Sequence, residues 1–320
     1  MVAYMEIRHD RPNSPLAHTY SIVARDPDTG ELGAAVQSHW FAVGAVVIHA
    51  EAEVGAVATQ AFVDPSYGPL GLDLMRAGRS APEALAGLLV ADQGRELRQV
   101  AMVDAQGRAV AHTGAKTLAE AGHIVGAQFT VVANMMLNAT VPEAMARAFQ
   151  ATTGDLAHRM LAALDAAEAE GGDVRGRQSA ALIMVRGKST GQPWFDKLFD
   201  VRVDDHPGPL PELRRLVDVQ RAYTARGDAE AAFARGDIDR GDELYQRAQS
   251  FSPHNVEFSF WHGIAMLRSG RIGDGIRILR PVFTRDANWA TLARRMIGSQ
   301  FLPGERSALE SRIAKIVTDA

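Results

Sequence analysis

Short apolar segments rich in Val, Ala and Ile recur from Tyr20 to Asp205, joined by turns and interrupted twice by a pair of helical segments. YSIVARD (20–26), the turn cluster Pro27-Asp28-Thr29-Gly30 and ELGAAVQS (31–38) predict a β-hairpin. AVGAVVIHA (42–50) and VGAVATQAF (54–62) are nearly continuous apolar runs, the pattern of strands buried on both faces. Helices are expected near 69–77 and 81–91; the second has Ser80, Pro82 and Glu83 in capping-box positions. Strands return at 98–105, 108–114 and 129–137, followed by helices over 141–151 and 154–170, the latter stopped by Gly171-Gly172. Two last strands are expected over 178–187 and 198–205. This order predicts an α+β fold in which two sheets stack face to face, each covered outside by a helix pair. A doubly wound sheet would need a helix after nearly every strand, which the hairpins contradict.

After Pro207-Gly208-Pro209-Leu210-Pro211 the pattern becomes helical and stays so to the end of the chain. Residues 232–255 match 266–289 at an offset of 34, aligning Gly236 with Gly270, Ile238 with Ile272 and Gly241 with Gly275. That spacing is the tetratricopeptide (TPR) period, a helix-turn-helix unit that buries its face by stacking. Pro281 is expected to break the second copy. The chain thus divides into a leader (1–18), a strand-rich domain (19–211) and an all-α, TPR-like domain (212–320).

Composition narrows the function classes. A net charge of −4 gives no basic surface for nucleic acid or an anionic membrane. The absence of cysteine excludes disulfides, thiolate zinc sites and a cysteine nucleophile. The first 18 residues hold no signal-peptide core, and every later apolar stretch is short or interrupted, so a cytoplasmic location is expected. No dinucleotide, nucleophile-elbow or zinc-protease motif occurs, and Leu182 stands where a phosphate loop ending in RGKST needs its first Gly. Asp204-Asp205-His206 does not read as a metal site, because adjacent strand residues point to opposite faces. Chemistry without metal or cofactor is expected.

The candidate nucleophile is Thr19, at the head of the first strand. In an N-terminal-nucleophile (Ntn) hydrolase such a residue becomes the chain terminus; its hydroxyl attacks a carbonyl and its freed α-amine is the base. That amine has an ordinary pKa of about 7.7–8.0, close to neutrality. The plain alternative is a β-branched residue opening a strand. Ser38, Gln60, Asp64, Tyr67, His112 and Thr113 fall at strand ends or in turns, where substrate would meet them. Asn134 lies within an apolar run, where a buried amide either donates to an oxyanion or ties a loop. In GGDVRGRQS (171–179), Asp173, Arg175 and Arg177 either hold a substrate carboxylate or fix their own loop by ion pairs.

HTYSIVARDPDTGELGAAVQSHWFAVGAVV, GAVATQAFVDPSYGPLGLDLM, RQVAMVDAQGRAVAHTG, GGDVRGRQSAALIMV and RVDDHPGPLPELRRLV resemble, in order, a bacterial Ntn-hydrolase-like family, domain of unknown function 1028. The resemblance runs from about Thr19 to Val217 and implies a four-layer αββα Ntn-hydrolase-type sandwich. Members of that family typically begin Met-Thr-Phe-Ser-Ile-Val-Ala, whereas 18 residues precede Thr19 in this chain. Two functions follow as expectations. One is hydrolysis of a small amide, cyclic imide or peptide-like bond by Thr19 after leader removal. The other is a non-catalytic scaffold that keeps its leader and recruits a protein partner, or a second copy of itself, through the helical domain.

Overall fold

The computed structural model describes residues 16–17, 19–299, 302 and 306–318. The leader expected over 1–18 therefore lies outside the described residues, except for a two-residue strand β1 (Leu16–Ala17). The chain forms two compact units, 1–217 and 218–320.

In the first unit the remaining strands are β2 (Thr19–Arg25), β3 (Leu32–Ser38), β4 (Ile48–Glu51) and β5 (Gly55–Phe62). After helices α1 (Tyr67–Arg76) and α2 (Ala81–Ala91) come β6 (Arg98–Asp104), β7 (Ala109–Thr113), β8 (Gly122–Gly126) and β9 (Phe129–Ala133). Helices α3 (Val141–Ala151) and α4 (Leu156–Ala169) precede β10 (Ser179–Val185), the short α5 (Pro193–Asp196) and β11 (Lys197–Val203). One sheet runs β1-β5-β6-β7 with β4 also on β5; the other runs β11-β10-β3-β2-β9-β8, and all pairs are antiparallel.

Alternation along the strands assigns each face. Val23, Ala34 and Val36 share a buried core with Ala56, Ala58, Ala101 and Val103, so the two sheets lie face to face. On the outer side of the first sheet, Leu72, Met75 and Leu85 of the α1–α2 pair cover Val57, Val100 and Met102. On the other, Met145, Phe149, Met160 and Leu164 of α3 and α4 cover Tyr20, Ile22 and Val131. Each such fully buried large side chain contributes about 1.5–3 kcal/mol. The α2 start is built as expected: Ser80 Oγ accepts from Glu83 N at 3.3 Å, and Glu83 returns a carboxylate to Ser80 N at 2.8 Å.

Three expectations are corrected, and two elements are added. Residues 42–50 do not form one strand: Ala42 takes a left-handed φ of 52°, a 3-10 turn covers Val43–Ala45, and β4 begins only at Ile48. A Cβ on Gly44 would lie 2.2 Å from that of Ala181, so the chain presses flat against β10 there. Strand β8, bounded by two glycines, was not anticipated, nor was α5. β9 stops at Ala133 because Met135 turns left-handed (φ 56°), which puts Asn134 just past the strand rather than inside it. Pro281 lies inside an unbroken helix.

Helix α6 (Pro209–Ala234) begins in the first unit, where Leu210, Leu213 and Val217 join the α3–α4 core, and the division falls within it. The second unit continues with α7 (Ile238–Phe251), α8 (Val256–Arg268), α9 (Ile272–Arg285), α10 (Asn288–Met296) and α11 (Arg306–Thr318). The 34-residue offset is visible in packing. Gly236 and Gly270 both end a helix with φ near +81° and +85°. Gly241 lies against Phe233 and Gly275 against Leu267, the same close helix approach 34 residues apart.

Candidate functional site

Thr19 opens β2 and pairs with Ser38, the last residue of β3, which pairs in turn with Ser179 at the start of β10. At the facing end of the other sheet, Gln60, Gln99 and Thr113 stand opposite one another across β5, β6 and β7. Asn134 follows directly after β9. Thr19, Ser38, Gln60, Gln99 and Asn134 have no solvent exposure. Polar groups so placed must satisfy one another.

They do. The Thr19 hydroxyl donates to Ser38 Oγ at 3.2 Å. The Thr19 carbonyl accepts from Gln60 Nε2 at 2.8 Å, from Asn134 N at 3.1 Å and from Asn134 Nδ2 at 3.4 Å. Gln60 Oε1 accepts from Ser21 Oγ at 2.6 Å. Gln99 Oε1 accepts from Gln60 Nε2 at 2.7 Å and Asn134 Nδ2 at 3.0 Å. Gln99 Nε2 donates to Thr113 Oγ1 and to the Ala133 carbonyl, both at 2.9 Å. Thr113 Oγ1 also meets His123 Nδ1 at 2.8 Å. Partial desolvation and then the nearby His112 hold His123, at the exposed edge of the cluster, below its ordinary value.

Backbone strain marks the same place. The residues right after Gln60 and Asn134, Ala61 (φ 70°) and Met135 (φ 56°), both occupy the left-handed region. Non-glycine residues enter it at a cost, and such outliers concentrate where side chains are aimed. β1 adds a topological detail. Leu16 and Ala17 pair with Phe62 and Ala61 in one sheet, whereas Thr19 starts β2 in the other, so the chain changes sheet between 17 and 19.

The site predicted from sequence therefore assembles in part: Thr19, Ser38, Gln60, Thr113 and Asn134 meet. Asp64 and Tyr67 do not join them. Asp64 accepts from Ser66 N and Oγ before α1, and the Tyr67 hydroxyl donates to Asp92 at 3.0 Å, beneath the helix layer. His112 alternates with Thr113 to the other face of β7 and bonds the Arg95 carbonyl at 2.9 Å. Asp173 accepts from His39 N at 3.1 Å and pairs with Arg175 at 2.8 Å, while Arg177 pairs with Glu168, which also accepts from Tyr20 Oη. These bonds tie down the loop and correspond to the ion-pair reading of Arg175 and Arg177. Both amide hydrogens of Asn134 are directed at Thr19 and Gln99, so its geometry is that of a tie. Sequence reading missed Gln99, Ser21 and His123. Gln99 carried the same signal as Asn134, an amide within an apolar run. Among the described residues no group of three or more His, Asp or Glu side chains converges as a metal site, and no helix is long and apolar enough to cross a membrane.

The chain matches the model of a family of unknown function, domain of unknown function 1028, over residues 19–213, and belongs to that family. A solved relative is protein SPO2555 from Silicibacter pomeroyi, whose crystal structure is assigned to the same family model. It is 32% identical with a TM-score of 0.57, covering 62% of this chain and 84% of that one. No curated protein matches.

Proposed function

We propose that this protein is an Ntn-type amidohydrolase, built on an αββα sandwich, that acts on a small amide, cyclic imide or peptide-like bond once Thr19 is the chain terminus. One observation carries the reading: a hydroxyl residue at the head of an inner strand has its carbonyl fixed by two buried amides, each followed by a strained residue. The family match opening at Thr19 supports it. In this mechanism the Thr19 hydroxyl adds to the substrate carbonyl and its proton passes to the α-amine. The tetrahedral intermediate collapses to a Thr19 ester as the amine returns that proton to the leaving nitrogen. Water then cleaves the ester, releasing the acid and restoring the hydroxyl.

The test is a protein prepared to start at Thr19, assayed on a panel of acyl p-nitroanilides beside its Thr19→Ala variant. Release of p-nitroaniline that Thr19→Ala abolishes is expected. Equal release by both, or none by either, sinks the reading.

A second reading has its own support. β1 pairs with β5 while Thr19 is an interior residue with no exposure, and the helix hairpins repeat at the TPR-like spacing. A cytoplasmic scaffold that keeps residues 1–18 and binds a protein partner or itself through α6–α9 would have both features. Intact mass of the purified chain separates the two, because a mature chain retaining its leader has no α-amine at Thr19.

A further inference from the structure

We infer that Gln99 is the positioning residue of the Thr19 site: its side-chain oxygen accepts from both amides that hold the Thr19 carbonyl. The inference deepens the hydrolase reading, although its geometry stands without it. Gln60 and Asn134 approach the Thr19 carbonyl from opposite sheets, Gln60 from β5 and Asn134 from the end of β9. The Thr19 carbonyl calls for N–H from both amides and the Val132 carbonyl for N–H from Gln60; what remains is to tie the two amides to each other. Gln99 Oε1 does so by accepting from both, at 2.7 and 3.0 Å. A side-chain amide is free to turn over, which would point a second set of hydrogens at those donors. The other end of Gln99 prevents it: Nε2 must donate to the Ala133 carbonyl, which has no hydrogen to offer in return, and to Thr113 Oγ1. Thr113 can then direct its own proton to His123 Nδ1. The orientation of Gln99 is thus fixed on one side by a carbonyl and read out on the other by two amides. Because Gln99 has no exposure, water does not replace either set of bonds. Thr19 Oγ1 sits one residue's torsions from the carbonyl so held.

The consequence is specific. Replacing Gln99 with Leu removes the shared acceptor and leaves Gln60 and Asn134 held to Thr19 without a tie to each other. Replacing it with Glu keeps that acceptor but sets a carboxylate oxygen against the Ala133 carbonyl. That arrangement is tolerated only while the carboxyl carries a proton.

Thr19-Tyr20 is the only Thr-Tyr pair in the chain, so labelling Thr with ¹³C at the carbonyl and Tyr with ¹⁵N isolates one NMR signal, that of the Thr19 carbonyl. The full-length protein serves, with no substrate. In Gln99→Leu the Thr19 carbonyl signal is expected to shift as its donors loosen. In Gln99→Glu it is expected to sit near the wild-type position at low pH and move away as the carboxyl ionises, while wild type stays constant. If Gln99→Leu does not fold, Gln99→Glu decides alone. A Thr19 signal that stays at its wild-type position in folded variants across pH overturns the assignment. Where the chain starting at Thr19 hydrolyses p-nitroanilides, Gln99→Leu is expected to lower kcat about 100-fold with KM nearly unchanged, the penalty of a misplaced reacting group. Absence of any hydrolysis removes the enzyme reading and leaves the NMR result to decide the role of Gln99.

Discussion

Arg98 and Gln99 are neighbours on β6, yet they solve the problem of a buried polar group in opposite ways. Arg98 faces the helices α1 and α2, where it donates to Asp92 at 2.9 Å and to the Phe62 carbonyl, and Asp92 also receives the Tyr67 hydroxyl. Gln99 faces the second sheet and meets only neutral amides, hydroxyls and carbonyls. One face is held by a full charge pair with almost no solvent access; the other holds a dry cluster without a formal charge. The first can be rigid and inert. The second holds its groups together by neutral bonds alone.

The comparison breaks most sharply at Arg98. Arg98→Leu strands a buried carboxylate and should cost about 3–5 kcal/mol, read as a lower urea midpoint. The same pair sets a pH limit. Burial alone would raise the Asp92 carboxyl, but the bonds from Arg98, Gly94 N and Tyr67 hold it below its ordinary 3.8. Its contribution is therefore present above that value and lost as pH falls through the folded-state value. Asp92→Asn should lower stability at neutral pH and flatten the acid limb of the urea midpoint; an unchanged acid limb would show that this pair does not set it.

Asn134→Leu probes the neutral face. It removes one donor to Thr19 and leaves Gln99 Oε1 with fewer partners, at about 1–3 kcal/mol, and no new pH dependence should appear. A variant that introduces one would show that charge reaches the cluster. Ser80→Ala lies at the α2 start, away from both sets of bonds, and should cost about 1 kcal/mol through loss of the cap alone. If it costs as much as Asn134→Leu, the cluster contributes no more than an ordinary helix cap.

Much of the strand order was legible because the signals were local: the Pro27–Gly30 turn, the Ser80 capping box and the Gly171-Gly172 stop act over a few residues. The 34-residue offset was legible for the same reason, since Gly236 and Gly270 end helices in the same conformation. What escaped depended on distant contacts. Gly44 looks like a strand residue until Ala181 and Arg202 are placed against it. β8 is too short, and too bounded by glycine, to announce itself. In the site, strand-end position alone nominated Tyr67 and His112 together with Gln60 and Thr113. Sheet register separates Gln60 and Thr113 from His112, and Tyr67 belongs to α1 rather than to a strand. Gln99 was hidden because an amide in an apolar strand reads as an exception until its partners on β5, β7 and β9 are in place.

The neutrality of the inner cluster bears on proton affinity. The side chains that bond Thr19, namely Ser38, Gln60 and Asn134, offer no carboxylate to stabilise an ammonium ion. An amine created at Thr19 would thus find no counter-ion among these three side chains, and they would not raise its proton affinity above the ordinary value of about 7.7–8.0. A terminal Thr19 amine without a counter-ion would be substantially uncharged, and so able to take a proton, near neutral pH.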